Sequence, residues 1–296
     1  MSVIKKIDQY LSLIKFSHTV FALPFALMGF TLGIVEVNKG FSWSWFADNG
    51  GLFVKVLLCM VFARSAAMAF NRYLDRKYDA LNPRTARREV PAGIISPKNA
   101  LLFTVINSVL FITTTLFINT TVFYLSVIAL FVILFYSYTK RITALCHIVL
   151  GIGLSLSPIG AFLAVTGYFK LLPVLLSCIV LTWVSGFDII YALQDEEFDK
   201  AQHLHSIPAA LGKKNALMVS NALHFLSFCF VVLAGLLGAF GWLFWIGAGI
   251  FSALLVYQHL LVKPNDLSKV NMAFANTNGI ASILFALFAI TSFILQ

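Results

Sequence analysis

The chain has few charged residues. Only 11% of its 296 residues are Asp, Glu, Lys or Arg, and 60% are hydrophobic. Soluble domains carry about 25% charged residues. The composition therefore excludes an ordinary soluble domain and predicts a protein that crosses the membrane several times.

Residues that bind transition metals are also scarce. The chain has six His and four Cys, and neither set shows the spacing of a zinc site. The four Cys all lie in apolar segments, which is typical of buried thiols that take no part in chemistry: Cys59, Cys146, Cys178 and Cys229. We therefore expect no zinc centre, and no His is assigned a catalytic role.

The apolar runs predict nine transmembrane helices. Each is close to the roughly 20 residues that span the hydrocarbon core, and a helix satisfies its own backbone in lipid. The predicted spans are Phe16–Val37, Leu52–Tyr73, Lys98–Ile118, Val122–Tyr138, Ile142–Val165, Leu171–Gln194, Asn215–Leu237, Phe240–Val262 and Met272–Leu295. We expect residues 1–296 to form a single integral-membrane domain.

The basic residues predict the orientation. Nine spans place 16 of the 21 Lys and Arg on one set of connections, and only Lys39, Lys55 and Lys170 on the other. Positive charge collects on the cytoplasmic side, so the N-terminus is predicted to be cytoplasmic and the C-terminus external. The net charge of +9 is explained by this bias and by attraction to anionic membrane lipid, and gives no reason to expect nucleic acid as a partner.

Acidic residues are few, but five of the 12 are aspartates in two short segments. A carboxylate at the centre of a membrane helix costs about 2.5–3.5 kcal/mol, so something must compensate for this grouping. The first ladder is Asn71, Asp75 and Asp79; the second is Tyr191, Asp195 and Asp199, preceded by Asp188. Equivalent members are 120 residues apart with four spans between them, which predicts two parallel four-helix halves plus a ninth helix.

The spacing within each ladder suits metal binding. Positions i, i+4 and i+8 of an α-helix share one face, so each ladder is predicted to line one helix end. Hard oxygen ligands in small number favour Mg²⁺ that also binds substrate phosphates, and two facing ladders could hold two or more ions around a diphosphate. The alternative is that the acids pair with nearby Arg and Lys to close the helix ends.

Several basic residues are candidates for holding the substrate. Arg84 and Arg88 lie in a polar loop after the second span, where forked guanidinium groups could grip phosphate or simply face solvent. Lys140 and Arg141 form a second candidate clamp. Arg64 lies inside the second span, where an Arg almost always faces a polar cavity or partner. We expect it to hold the acceptor or to pair with Asp188.

The two motifs, NxxxDxxxD and DxxYxxxDxxxD on the second and sixth of nine spans, resemble those of the UbiA superfamily of intramembrane aromatic prenyltransferases. Further similar segments are Leu23-Pro24, Asn82-Pro83-Arg84-Thr85, Pro91-Ala92-Gly93, Lys140-Arg141-Ile142-Thr143 and His205-Ser206-Ile207-Pro208. The chain is similar to 4-hydroxybenzoate polyprenyltransferases and, in residues 15–24 and 188–192, to the group proposed for menaquinone synthesis by the futalosine route. Ser17 departs from the acidic residue expected in that group.

The resemblance implies Mg²⁺-dependent transfer of a polyprenyl group from its diphosphate to an aromatic ring, in a bacterial inner membrane. It implies metal ligands at Asn71, Asp75, Asp79, Asp195 and Asp199. Tyr191 and neighbouring Phe would stabilise an allylic cation, since aromatic faces attract cations. Asp188 is a candidate base or acceptor anchor.

Two other functions fit the composition. A cation- or proton-coupled transporter could use the acids as relay sites, although transporters tend to place such groups at the midplane in inverted repeats. A non-catalytic scaffold would leave the paired ladders unexplained. The residues leave open which aromatic ring accepts the prenyl group and how long that group is.

Overall fold

The computed structural model describes residues 3–14 and 21–295. Within them the regular elements are helices, apart from an isolated bridge between Lys263 and Asp266. The helices are α1 (Val3–Leu13), α2 (Leu23–Asn38), α3 (Trp43–Asp48), α4 (Gly50–Leu81), α5 (Pro97–Leu116), α6 (Thr120–Thr139), α7 (Cys146–Thr166), α8 (Leu171–Ala192), α9 (Glu196–Ala201), α10 (Ile207–Leu237), α11 (Trp242–Leu261) and α12 (Asn278–Ile294). This architecture confirms the all-α prediction.

Eight of the described helical segments are long and apolar enough to cross a bilayer. They coincide with eight predicted spans, and their ends differ from the predicted ends by at most about one to two turns. Helix α2 is apolar but has only 16 residues. The span predicted to start at Phe16 begins outside the described residues, and Ser17 also lies outside them. The ninth span and the two four-helix halves remain predictions.

Helix starts follow local capping chemistry. The side chains of Ser96, Asn119 and Ser206 each accept a hydrogen bond from a backbone N–H in the first turn of α5, α6 and α10. Such caps satisfy donors that have no partner within the helix. The cap at Ser206 matters most for the site, because it fixes where α10 begins beside the second ladder.

The largest core lies around α8, which packs between α7 and α10. Its Trp183 is fully buried and its ring contacts Phe25 of α2 and Phe251 of α11, with centroids 5.3 and 5.8 Å apart. The indole Nε1–H donates to Asn278 Oδ1 over 2.8 Å, which gives this buried donor the partner it needs. Aromatic packing therefore fixes α8, and with it the second ladder, in the bundle.

Glycine allows two helix pairs to approach closely. A Cβ on Gly29 of α2 would lie 2.0 Å from the carbonyl oxygen of Pro158 in α7. A Cβ on Gly151 of α7 would lie 2.5 Å from the carbonyl oxygen of Leu181 in α8. Small residues at interfaces let membrane helices pack through van der Waals contact, and here they hold α7 against both neighbours.

The two ladders differ in local structure. Helix α4 continues to Leu81, beyond the end predicted at Tyr73, so the first ladder lies on one continuous helix. The second ladder does not: α8 ends at Ala192, a 3₁₀ turn follows over Leu193–Asp195, and α9 then begins. The prediction of a single helical face for Tyr191, Asp195 and Asp199 is wrong, because the 3₁₀ turn has about three residues per turn and interrupts the repeat of about 3.6 residues on which a shared face depends.

The Gly29 contact yields a stability prediction. We expect Gly29→Ala to lower the melting temperature in detergent, because the added methyl group forces α2 away from α7, and overpacking costs about 1–3 kcal/mol. Gly160→Ala in α7 is the matched control, since no atom lies within 4 Å of its added Cβ. A melting temperature for Gly29→Ala equal to that of the control would contradict the close contact.

Candidate active site

The ends of α4 and α8 lie at the same end of the bundle, joined by contacts from the loop after α4. Arg84 in this loop donates to Asp195 in a forked arrangement, with Nε 3.0 Å from Oδ1 and Nη2 against Oδ2. Its Nη1 donates to Tyr191 Oη over 2.9 Å. Asn82 Nδ2 also donates to Asp195 Oδ1, over 3.0 Å. The loop thus connects the first ladder's helix to the second ladder.

Asp79, the last member of the first ladder, is held by the same loop. Arg88 Nη1 lies 2.8 Å from Asp79 Oδ1, and Thr85 donates its hydroxyl to the Asp79 carbonyl over 3.1 Å. The other carboxylate oxygen of Asp79, Oδ2, is buried and has no hydrogen bond from the described residues. A buried carboxylate oxygen is costly to leave unsatisfied, so this atom is available for a further ligand.

The turn after α6 supplies two more cations. Lys140 Nζ lies 2.8 Å from Asp199 Oδ1, and Ser206 donates its hydroxyl to Asp199 Oδ2 over 2.8 Å. Arg141 Nη2 lies 2.8 Å from Asp75 Oδ1 and also donates to the Leu74 carbonyl over 3.1 Å. This turn therefore contacts both ladders.

Each ladder aspartate is thus paired with a different cation. The pairs are Asp75–Arg141, Asp79–Arg88, Asp195–Arg84 and Asp199–Lys140. The pairing that the sequence allowed as a helix-closing device is present in the structure. It brings together the acids and four of the predicted substrate-binding cations in one cluster.

Two of these cations lie outside the membrane-spanning segments and hold their protons firmly. Burial acts to lower the pKa of Arg84, but the hydrogen bonds and charge of Asp195 outweigh it and the pKa is raised. Burial likewise opposes the charge of Lys140, and the charge and hydrogen bond of Asp199 raise its pKa. Both side chains are therefore cationic at neutral pH.

Hydrogen bonds also connect the inner residues of the first ladder to each other and to Arg72. Asn71 Nδ2 donates to Asp75 Oδ2 over 2.9 Å, and Arg72 Nη1 donates to Asn71 Oδ1 over 3.2 Å. Arg64 lies two turns before Asn71 on α4, within reach of the charge of Arg72. The buried Arg72 is a polar neighbour that the sequence did not single out.

Asp188 has a different partner from the one expected. Its Oδ2 lies 2.7 Å from Nδ1 of His147 on α7. Of the two roles expected for Arg64, the ion pair with Asp188 is therefore not the contact that this carboxylate makes, and holding the acceptor stays a prediction. No pattern in the sequence indicates His147, because it lies 41 positions from Asp188 on a different helix. Ser206 was also missed, although a Ser before Ile-Pro is a recognisable helix-start signal.

Tyr191 faces an aromatic neighbour. Its ring stacks on Phe274 with centroids 4.2 Å apart, and the Arg84 guanidinium lies 5.2 Å from the ring centroid. Phe274 belongs to a π-helical segment, Met272–Thr277, that precedes α12. Such segments occur frequently at functional sites, and this one brings an aromatic face to the ladder end of the bundle.

The donor atoms suit a hard divalent cation. Within the described residues, no three His, Cys, Asp or Glu side chains converge as a ready metal site, and a cation lies against each ladder carboxylate. The amide and carboxylate oxygens of Asn71, Asp75, Asp79, Asp195 and Asp199 are nevertheless the ligand type that Mg²⁺ prefers. The unsatisfied Oδ2 of Asp79 adds an oxygen that is not yet engaged.

Known proteins resemble the chain over most of its length. The profile of the UbiA prenyltransferase family matches residues 22–290. A 4-hydroxybenzoate octaprenyltransferase of Tolumonas auensis is 29% identical over 252 residues, which cover 82% of this chain and 86% of that protein. One from Enterobacter sp. (strain 638) is 31% identical over 222 residues, 75% and 76% of the two chains.

Solved structures share the fold. The apo structure of a UbiA homolog from Aeropyrum pernix K1 superposes with a TM-score of 0.77 at 26% identity, over 94% of this chain and 97% of that one. A UbiA homolog from Archaeoglobus fulgidus bound to GPP and Mg²⁺ gives 0.69 at 22% identity, over 97% and 100%. The predicted family is confirmed: the chain belongs to the UbiA prenyltransferase family and is an integral-membrane prenyltransferase.

Proposed function

We propose that the protein transfers a polyprenyl group from polyprenyl diphosphate to an aromatic acceptor in quinone biosynthesis, with Mg²⁺ as cofactor. The acceptor is 4-hydroxybenzoate-like or a menaquinone precursor. The observation that carries the proposal is the cluster of four Asp–cation pairs at one end of the bundle. It offers separate partners for a diphosphate and for the metal that accompanies it.

The diphosphate is bound by exchange of ion-pair partners. Arg84, Arg88, Lys140 and Arg141 turn their charges from the aspartates to the phosphate oxygens, which suit their hydrogen-bond donors. The aspartates and Asn71 would then hold Mg²⁺ in place of those cations. When bound, Mg²⁺ neutralises the charge that builds on the departing diphosphate.

Departure of the diphosphate leaves an allylic cation that must be protected. The outer faces of the stacked Tyr191 and Phe274 rings would supply cation–π stabilisation of about 0.5–2 kcal/mol each. The outer face of Tyr191 becomes accessible when Arg84, which lies over that ring, turns to the diphosphate. The apolar helix bundle excludes water, which would otherwise quench the cation. The ring of the acceptor then attacks, with Arg64 and Asp188 as the proposed groups of the acceptor end.

Transport is the less favoured function. A cation- or proton-coupled transporter would use the acids as relay sites, yet they lie together at one end of the bundle, and the family to which the chain belongs is one of transferases. Release of diphosphate and formation of a prenylated ring are the events that separate the two functions.

The proposal is tested by identifying the product. Purified protein is incubated with Mg²⁺, labelled geranyl or longer polyprenyl diphosphates and a panel of aromatic acids and naphthoates. We expect one acceptor class to gain the prenyl mass, and chelation of the metal to stop the reaction. Absence of any prenylated product, or full activity in excess chelator, would contradict the proposal.

The ladders predict the effect of removing one carboxylate. We expect Asp75→Asn or Asp195→Asn to lower transfer by about 10²-fold or more, because an electrostatic contact to the reacting group is lost. Loss of a buried ion pair also lowers the melting temperature, so transfer is measured well below the melting temperature of each variant. Asp266→Asn on an exposed turn is the matched control and should keep full activity. Near-normal transfer by either ladder variant would refute the donor site.

We also propose that the ladder end of the bundle faces the cytoplasm of a bacterial inner membrane, with the C-terminus external. An alkaline phosphatase fused after residue 296 is therefore expected to be active and a fluorescent protein fused there to be dark. The opposite pair of results should follow from fusion at Asp266. A fluorescent C-terminal fusion would overturn the orientation.

A further inference from the structure

The contact between His147 and Asp188 is set by close helix packing. His147 lies one turn before Gly151 on α7, and Asp188 one turn after Ser185 on α8. The Gly151 position allows no side chain, since a Cβ there would lie 2.3 Å from Ser185 Oγ. The backbones of α7 and α8 are thus held together one turn away from the dyad, which fixes the 2.7 Å contact.

The hydrogen bonds define the form of the imidazole. The backbone N–H of Ile207, the first residue of α10, donates to His147 Nε2 over 3.4 Å. Because Nε2 accepts, the proton of a neutral ring lies on Nδ1 and is donated to Asp188 Oδ2. One carboxyl oxygen of Asp188 is therefore held by His147.

Asp188 is the more accessible partner of the His147–Asp188 dyad. The His147 side chain is 4% exposed and that of Asp188 is 18% exposed, so the imidazole lies behind the carboxylate. Tyr136 of α6 lies within electrostatic reach of both Asp188 and Asp75. Asp188 therefore belongs to the same polar interior as the first ladder, one turn before Tyr191 on α8.

We propose that His147 is a positioning residue for the aromatic acceptor. It holds Asp188 as an oriented carboxylate whose Oδ1 receives the hydrogen bond, and then the proton, of a ring hydroxyl. The inference rests on the proposed prenyl transfer and narrows the acceptor to a phenolic ring. Without His147 the Asp188 carboxylate would lose its fixed orientation, and a general base must be positioned to act.

The proton transfer balances with ring attack. As the hydroxyl proton moves to Asp188, electrons from oxygen flow into the ring, a ring carbon forms the bond to the allylic carbon, and the allylic C–O bond to diphosphate breaks or has already broken. The resulting dienone loses its ring hydrogen as a proton to solvent or diphosphate. The electrons of that C–H bond restore the aromatic ring, and the oxygen regains the proton from Asp188.

Two isosteric substitutions separate this function from simple packing. In His147→Asn the amide Nδ2 occupies the place of Nδ1 and still donates to Asp188. In His147→Gln the amide lies at the level of Nε2 and the donor to Asp188 is lost. We expect the Asn variant to keep kcat within about threefold and the Gln variant to lose about 10-fold or more, with the KM for geranyl diphosphate unchanged in both.

A second measurement reports on the proton itself. Acceptors are compared with and without a fluorine beside the hydroxyl, 4-hydroxybenzoate first. A more acidic hydroxyl depends less on a positioned base for loss of its proton. The ratio of wild-type to His147→Gln kcat should therefore fall at least threefold with the fluorinated ring. His203→Asn, on an exposed residue outside the site, is the control and should behave as wild type with both acceptors.

The outcomes distinguish the inference from the proposed function. If wild-type protein forms no prenylated product with any acceptor, the proposed function fails and the inference falls with it. If wild-type protein is active, three results would each overturn the role of His147. The first is a kcat of His147→Gln equal to that of wild type, and the second is an equal loss of kcat in the Asn and Gln variants. The third is a ratio of wild-type to His147→Gln kcat that fluorination of the acceptor leaves unchanged. Should the Gln variant not fold, Asp188→Asn is used, and undiminished transfer by it would overturn the proposal.

Discussion

The structure depends on neutralising carboxylates at the edge of a lipid-embedded bundle. Asp199 is fully buried, and the other ladder aspartates are largely so; an isolated buried charge would cost several kcal/mol. Counter-charges come from segments distant in sequence: the loop after α4 binds α8, and the turn after α6 binds both ladders. The contacts that neutralise the acids are therefore also the contacts that fasten the connecting segments over the end of the bundle.

Stability alone is a weak explanation of this arrangement. A buried ion pair gains little over well-packed apolar residues of the same shape, since desolvation offsets the attraction. Four such pairs in one place are better explained by ligand binding. In the proposed function, bound metal would replace the cation beside each aspartate, and diphosphate would replace the aspartate beside each cation. The cluster can then pass between two neutralised states without exposing a bare charge, which keeps the cost of binding low.

The sequence predicted what depends on composition and regular spacing. Apolar runs located eight spans, and the i, i+4, i+8 spacing placed Asn71, Asp75 and Asp79 on α4. It failed where geometry depends on a local break or a distant helix. The 3₁₀ turn at Leu193–Asp195 contains no Gly or Pro from which it could have been predicted. The pairing of Asp188 with His147 depends on how closely α7 approaches α8, and hydrophobic periodicity carries no information about that distance.

The start of α10 joins the two ends of the site. Ser206 holds Asp199 by its side chain, and the next residue, Ile207, holds His147 by its backbone N–H. Neighbouring residues in a capped first turn cannot move independently, so the position of Asp199 and the position of the His147–Asp188 pair are mechanically linked. A reaction through an allylic cation benefits from this link, because a cation formed before the ring is in place would be lost to water. In the proposed reaction, the first turn of α10 would thus hold both the donor end and the acceptor end of the site.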